Sequence, residues 1–168
     1  MAGDATVLLV KFDNFLDILS MNPINLVDSL SMIFENDMVN NPCRTFNEKK
    51  VIYFQDPFDK QAIFDHLIKK KMNGSRQVID VERAKRIHWI KYFIENSLKQ
   101  GVNGFWVFSY KHLNENIRTY IYHKQTKFLV VLEPTNNNEY ILITAHLRAG
   151  DGITEIKRRY REKLPDLH

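Results

Sequence analysis

The change of apolar periodicity at Gly104 constrains the fold of this chain most strongly. Before this glycine the apolar residues recur at helical spacing, and after it they alternate with polar residues. Four strand-like runs follow, at residues 105–110, 117–124, 127–133 and 139–148, and short polar turns separate them. Because links this short cannot carry parallel crossovers, we expect an antiparallel meander.

The preceding part of the chain predicts helices. Apolar spacing indicates one helix over 24–38, a second after Pro57 to about 72, and a third over 80–100. We interpret Asn73-Gly74 as the stop of the second helix and Asp80 as the N-cap of the third. Residues 7–10 and 51–54 are short strand candidates, and 153–164 read as a final basic helix.

Together these elements predict an α+β fold, in which N-terminal helices pack on a four-stranded antiparallel, RNase-like sheet and a basic helix closes the domain. We place a boundary near residue 56, with a mostly helical, acidic extension at 1–56 and the RNase-like domain at 57–168.

Charge is distributed unevenly along the chain. Residues 1–60 contain five Lys or Arg and nine Asp or Glu, whereas 61–168 contain nineteen and eleven. A concentration of basic residues is suited to binding nucleic acid, although many basic domains bind no anion.

Cys43 is the only cysteine, so we expect a reducing, cytoplasmic compartment and no internal disulfide. The start of the chain lacks the features of a secretory signal, and no apolar run is long enough to span a membrane.

Several catalytic classes lack their motifs here. The sequence contains no GxxxxGK[ST], GxGxxG, HExxH or GxSxG motif, and its six histidines are scattered without metal-ligand spacing. Paired carboxylates are also missing from the strand region, where Glu133 and Glu139 flank a turn. We therefore expect neither a metal nor a cofactor.

Alternation along two strands suggests a functional face. Arg118, Tyr120, Tyr122 and Lys124 share one face of their strand. In the last strand Thr144 and His146 share a face with Tyr140 and Leu142, and we take the opposite face, from Ile141 to Leu147, as the core face. Cleaving RNA without metal needs such an inventory: an acid, a base, cations for the phosphorane charge and aromatic rings for the bases. Tyr, Thr, Arg and His are also ordinary residues of exposed sheet faces.

The helices add further candidates. His66 lies among Asp65, Lys69 and Lys70, and basic residues including Arg86 cluster around Trp89. His66 is either a surface or cap residue or a catalyst. The cluster is either a solvated helix face with the tryptophan as core anchor or a phosphate-binding ridge beside the sheet. The final helix carries Lys157-Arg158-Arg159-Tyr160-Arg161, which is either a solvated face or a contact with the RNA backbone.

Three segments carry a resemblance to a known family. They are the run from Asp80 to Ile90, the run Arg118-Thr-Tyr-Ile-Tyr122, and Ile141-Leu-Ile-Thr-Ala-His146, with the upstream run from Phe64 to Lys70. In their order they resemble the phage-borne branch of the barnase–EndoU–colicin–RelE-like nucleases. The similarity runs from about residue 57 to 164, and two positions depart from it. His88 stands where a proline is expected before the tryptophan, and His146 where an aromatic residue is expected.

The resemblance implies a metal-independent endoribonuclease acting on tRNA or mRNA, with a possible role as a toxin or in phage–host conflict. It points to His66, Arg86, Arg118 and Thr144 as catalytic residues, and alternation adds His146. We expect contacts with RNA from Trp89, Tyr120, Tyr122, Lys127 and Arg159. An antitoxin or immunity protein is a possible partner, and no membrane is expected.

Two other functions remain open. The same scaffold could be a non-catalytic nucleic-acid-binding module, or a phage accessory protein whose sheet binds another protein. The acidic residues 1–56 could cover the basic domain or serve only as a packing extension.

Overall fold

The structure is a computed structural model that describes residues 15–18, 22, 24–41, 44–53 and 60–168. Its main sheet is built on four consecutive strands, each antiparallel to the next across a short turn. These strands are β5 (Phe105–Lys111), β6 (Ile117–His123), β7 (Phe128–Pro134) and β8 (Tyr140–Leu147).

The predicted four-stranded, fully antiparallel sheet is wrong, because two earlier strands join it. They are β1 (Thr45–Phe46) and β2 (Lys49–Ile52), and the strand order is β1-β2-β8-β7-β6-β5. β2 lies parallel to β8, with Val51 opposite Tyr140 and Ile52 opposite Ile141. Short turns exclude parallel pairing only between consecutive strands, and the chain between β2 and β8 is long enough to return in the same direction. The sheet is therefore mixed and six-stranded.

A second sheet replaces the end of the predicted second helix. Residues Lys69–Met72 form β3, which pairs antiparallel with β4 (Ser75–Ile79). Asn73 and Gly74 have positive φ angles of 49° and 85°, as a tight hairpin turn requires. The Asn-Gly pair is thus a hairpin turn rather than a helix stop. The consecutive lysines at 69–71 offer no apolar stripe that could continue the helix.

The helices are shorter than predicted. α1 (Leu26–Phe34) continues as a π-helical turn (Glu35–Val39), and the others are α2 (Lys60–Ile68), α3 (Val81–Ala84), α4 (Trp89–Asn96) and α5 (Asp151–Arg161). The predicted helix over 80–100 is interrupted by turns at residues 85–88. The predictions for residues 7–10, Cys43 and the start of the helix after Pro57 lie outside the described residues. Among the described helices, none has the length and apolarity to cross a membrane.

Helices cover both faces of the main sheet, and each face has its own core. The larger core lies between the sheet and α1 to α4, and includes Phe34, Phe64, Trp89 and Phe93. The smaller core lies under α5, where Ile156 is fully buried against Tyr120, Tyr122 and Leu129. The face predicted to be exposed and functional is therefore partly covered by the amphipathic final helix.

An irregularity in β8 decides which of its residues enters each core. The register shifts between Val131, opposite Thr144, and Leu132, opposite Leu142, so that Ile143 is the extra residue. Tyr140 and Leu142 face the larger core before this bulge, and Ala145 faces it after the bulge. The strict alternation predicted for β8, with residues 141 and 143 on the core side, is therefore wrong.

The last residues of the chain return to the buried strands. The His168 N–H donates to Ser109 Oγ (2.9 Å), and the Thr119 hydroxyl donates to the His168 carbonyl (2.8 Å). Because the single Thr119 proton is used in that bond, Ser109 must donate to Thr119 Oγ1 across 2.9 Å. The hydrogen bonds form a closed ring, which satisfies two hydroxyls that are almost fully buried.

Two glycines allow a matched test of packing beside His123. Gly101 and Gly104 have φ angles of +82° and +91°, but only at Gly104 would a Cβ lie 2.6 Å from His123 Nε2. We expect Gly101→Ala to cost about 1 kcal/mol of unfolding free energy from backbone strain, and Gly104→Ala about 3 kcal/mol because overpacking is added. Urea denaturation measures both values. Equal losses would show that the contact with His123 has no energetic weight.

His123 makes stability depend on pH. Its ring is buried near Phe105, with centroids 4.8 Å apart, and its Nδ1 accepts from the Thr126 N–H at 3.3 Å. Burial, with Lys124 and Lys127 nearby, lowers its pKa below the ordinary value of 6.5. The unfolded chain therefore takes up the proton first as pH falls, and this residue's contribution to stability is lost below about pH 6.5. We expect the unfolding free energy to fall between pH 7.5 and 5, and to fall less in His123→Gln. Parallel pH profiles of the two proteins would contradict this.

Candidate active site

Three of the predicted catalytic residues meet at one hydroxyl. His66 Nε2 lies 3.0 Å from Thr144 Oγ1, which in turn lies 3.3 Å from His146 Nδ1. His66 belongs to the last turn of α2, whereas Thr144 and His146 belong to β8. We call these three residues the histidine–threonine site. His66 is far in sequence from Thr144 and His146, and the packing of α2 against β8 brings it to them.

The shared hydroxyl imposes a direction on this site. Thr144 has one proton to donate, so it can donate to only one of the two imidazoles at a time. If Thr144 donates to His146, then His66 must donate its Nε2–H to Thr144, and the reverse order is equally satisfied. The two rings are thus held in complementary roles, one with an N–H and one with a lone pair towards the hydroxyl.

The bulge in β8 sets the position of this site on the sheet. Thr144 lies opposite Val131 and His146 opposite Leu129, and directly opposed residues of antiparallel strands share a face. Val131 and Leu129 belong to the smaller core under α5. Thr144 and His146 are therefore on the same face as Tyr120 and Tyr122.

An arginine and its carboxylate support the helical side of the site. Arg83 Nη1 donates to the His66 carbonyl oxygen at 3.0 Å, and Arg83 Nε lies 3.5 Å from Asp80 Oδ2. Asp80 caps α3 by accepting from the Glu82 and Arg83 N–H groups. The α3 cap thus holds a guanidinium next to the backbone of His66.

A second polar cluster lies on the same face. Arg159 donates to the Tyr120 hydroxyl at 2.6 Å and to Glu155 Oε1 at 2.8 Å, and the Tyr120 hydroxyl lies 2.8 Å from His112 Nε2. Arg159 can only donate, so the Tyr120 oxygen accepts from it, and the Tyr120 proton can be donated to His112 when Nε2 carries no proton. We call His112, Tyr120, Arg159 and Glu155 the tyrosine–arginine cluster.

Titration in this cluster follows from its geometry. Burial, followed by the charges of Arg159 and Arg118, lowers the pKa of His112. Burial raises the pKa of Tyr120, although Arg159 and Arg118 oppose this change. His112 is therefore stabilised as a neutral acceptor and Tyr120 as a neutral donor. Tyr120 lies opposite Val131, which lies opposite Thr144, so about 10 Å of sheet separates Tyr120 from the histidine–threonine site.

The other predicted residues are not part of the histidine–threonine site. Arg86 is 8% exposed, pairs with Glu82 at 2.6 Å and lies over the Trp89 ring at 5.2 Å. Trp89 is 2% exposed, with its ring centroid 5.5 Å from that of Phe128. Both are packing residues of the larger core, and Trp89 is too deeply buried to touch RNA in this structure.

Arg118, a predicted catalytic residue, and the predicted RNA contacts Tyr122 and Lys127 have diverse environments. Arg118 pairs with Glu133 at 3.2 Å and is partly exposed. Tyr122 is 2% exposed, and its hydroxyl is buried without a hydrogen-bond partner among the described residues. Lys127 is exposed, has a φ of 59° and donates to the Lys124 carbonyl.

Sequence reasoning missed two polar residues of this face. His112 follows β5 in a polar turn, where nothing in the local pattern marks it. Arg148 lies two positions after His146, so continuing the alternation by one step would have found it. No group of three or more metal-ligating side chains is found within the described ranges. A surface depression on α1, lined by Asp28, Ser31, Met32, Glu35 and Asn36, contains neither histidine nor a cation.

No protein-family model, curated protein or solved structure matches this chain.

The packing role of Arg86 can be tested against its neighbour. Lys85 also pairs with Glu82 (2.7 Å) and lies over the Phe15 ring, but among these contacts only Arg86 stacks on Trp89. We expect Arg86→Met to lower the unfolding free energy by about 1–2 kcal/mol, and Lys85→Met by less than about 1 kcal/mol. Chemical denaturation measures both. Equal losses of unfolding free energy in the two variants would show that the ion pair with Glu82, and not the stacking on Trp89, is the interaction that stabilises the fold.

Proposed function

We propose that this chain is a metal-independent endoribonuclease that cleaves RNA through attack of the 2′-OH on the adjacent phosphate. The observation that carries the proposal is the histidine–threonine site, in which two imidazoles flank one hydroxyl at 3.0 and 3.3 Å. The resemblance to the barnase–EndoU–colicin–RelE-like nucleases supports it independently, because that resemblance selected His66 and Thr144 from the sequence.

Two histidines in complementary roles suit this reaction. One imidazole accepts the 2′-OH proton while the 2′-oxygen forms its bond to phosphorus. The other donates a proton to the departing 5′-oxygen, so that the products carry a 2′,3′-cyclic phosphate and a free 5′-OH. Histidine is the side chain whose ordinary pKa allows either role near neutral pH. We assign one role to His66 and the other to His146, with Thr144 positioning both rings.

Two arginines are suited to stabilise the phosphorane. Arg83 is fixed beside His66 by its bond to the His66 carbonyl, and Arg118 is partly exposed on the same sheet face as Thr144. A guanidinium presents a planar fork that matches phosphate oxygens. Arg86 is not assigned this role, because its guanidinium is engaged by Glu82 and Trp89.

A non-catalytic nucleic-acid-binding module is the second candidate. The observation that favours it is the β3–β4 hairpin, which begins directly after α2 and exposes Lys70 and Lys71. Exposed lysines bind phosphates without sequence preference, and such binding weakens steeply with salt. In this alternative the two histidines only hold β8 against α2. A toxin role and an antitoxin or immunity partner belong to the proposal only through the resemblance.

The test is cleavage of total tRNA and of a long unstructured RNA in EDTA. We expect wild-type protein to release fragments ending in 2′,3′-cyclic phosphate. His66→Ala should lower the rate by about 10²–10⁴-fold, as expected for a lost acid or base. Thr144→Val should also lower the rate, because it removes the hydroxyl that orients both rings but keeps the side-chain shape.

Thr154→Val is the matched control, since Thr154 is exposed on α5 and touches neither histidine. We expect wild-type cleavage from this variant and unchanged unfolding transitions in all three. Undiminished cleavage by both His66→Ala and Thr144→Val would refute the assignment. Salt-dependent RNA binding without any cleavage would select the binding module instead.

A further inference from the structure

Arg148, on the face that carries the histidine–threonine site, has no counter-ion among the described residues. It directly follows β8, and its backbone N–H donates to the Lys127 carbonyl at 2.9 Å. Its side-chain Nε is buried and has no hydrogen-bond partner among the described residues. No described carboxylate forms an ion pair with it either. Burying such a group is costly unless something pairs with it.

The neighbouring charges do not compensate Arg148. Burial is the main cause that lowers its pKa, and the positive charges of Arg159 and Arg83 add to this effect. Glu155 is the acid that opposes the shift, but Glu155 already pairs with Arg158 and Arg159 at 2.9 and 2.8 Å. Arg83 has its own partner in Asp80. Arg148 is therefore the one of these arginines whose charge has no counter-ion among the described residues.

Arg148 is near members of both polar clusters. It is close enough to Arg83, beside His66, and to Arg159 and Tyr120 for each to affect its titration. Along the chain it lies two residues after His146, about 7 Å further on in an extended strand. Successive phosphates of an extended nucleic-acid strand are separated by a comparable distance.

The start of α5 leaves room for this side chain. Gly152 lies in the first turn of α5, and a Cβ at that position would lie 3.1 Å from Arg148 Cδ. Any larger residue at 152 would push the Arg148 stem aside. The glycine thus permits the position that the guanidinium occupies.

We propose that Arg148 is the centre of an anion-binding site for a phosphodiester group, flanked by Arg83 and Arg159 and adjacent to the histidine–threonine site. The anion supplies the missing acceptor for Nε and a counter-ion for the one arginine of this group that has none among the described residues. A guanidinium whose Nε has no other acceptor can bind two phosphate oxygens at once. The site would hold the phosphate next to the one that is cleaved. The identity of the anion rests on the proposed function, whereas the presence of an anion site does not.

The test separates binding from cleavage by using an oligodeoxynucleotide. A single-stranded DNA lacks the 2′-OH, so it can occupy the site but cannot be cleaved by the proposed reaction. We expect Arg148→Gln to weaken its binding at least 10-fold in isothermal titration calorimetry. The slope of log affinity against log salt concentration should fall by about 1, as for the loss of one phosphate contact.

Arg161→Gln is the matched control, because Arg161 is exposed in the last turn of α5 and its substitution removes the same charge. It should change the affinity by less than 2-fold. Gly152→Ala changes no charge but crowds the Arg148 stem, and it should weaken binding several-fold. Arg148→Lys keeps the charge without the fork and should also weaken binding several-fold. These two variants test the site even if Arg148→Gln does not fold.

Each outcome has a distinct consequence. Wild-type affinity in Arg148→Gln, or in both Gly152→Ala and Arg148→Lys, overturns the anion site, as does a wild-type protein that does not bind the DNA. If the anion site is overturned in this way but His66→Ala abolishes RNA cleavage, the proposed ribonuclease is retained and only the anion site is rejected. If wild-type protein cleaves no RNA but Arg148→Gln lowers DNA affinity, the anion site stands and the ribonuclease falls.

Discussion

A one-residue bulge in β8 determines which of its side chains enter each core. One extra residue, Ile143, lets Leu142 face the larger core before the bulge and Ala145 face it after the bulge. Without it, Thr144 would be on the side of the larger core and could not share a face with Tyr120. A strand that packs against helices on both sides has no solvent face to tolerate such an error, so its register is strongly specified. The same local irregularity therefore completes the larger core and brings Thr144 and His146 to the face of the proposed site.

Sequence periodicity predicted the four strands of the meander well, because alternation between two packed faces is a direct consequence of strand geometry. It failed where the partner was distant. The four residues of β2 have too few neighbours in sequence to reveal that they pair in parallel with β8. It also failed at Asn73-Gly74, since the same dipeptide can end a helix or turn a hairpin. Only the lysines that precede it, which cannot supply a buried helix face, distinguish the two cases.

The residues of the candidate site also divide into those that the sequence predicted and those that depend on packing between distant segments. His66, Thr144 and His146 were found from the sequence, but their convergence depends on the packing of α2 against β8. Arg86 and Trp89 were chosen for their chemistry, yet the structure uses that chemistry for packing, with the guanidinium over the indole. A cation beside an aromatic ring has the same sequence signature whether it binds phosphate or stabilises a core. Arg148 ends the predicted run 139–148 and continues its alternation, but a single arginine at the end of a strand carries no signal that separates a site residue from an exposed one.

Two histidine–hydroxyl pairs occur on this face, and their surroundings distinguish them. At Tyr120, Arg159 donates to the hydroxyl oxygen, and His112, whose pKa is lowered, is the partner that can accept the Tyr120 proton. At Thr144, the two bonding partners are imidazoles, and either can be the donor. A proton can therefore be exchanged along the Thr144 chain without breaking its hydrogen-bond pattern, whereas exchange at Tyr120 would oppose a fixed positive charge. Acid–base chemistry needs a pair whose protonation can reverse in each cycle. On this face that requirement favours the histidine–threonine site, and it assigns the tyrosine–arginine cluster to holding α5 and its cations in place.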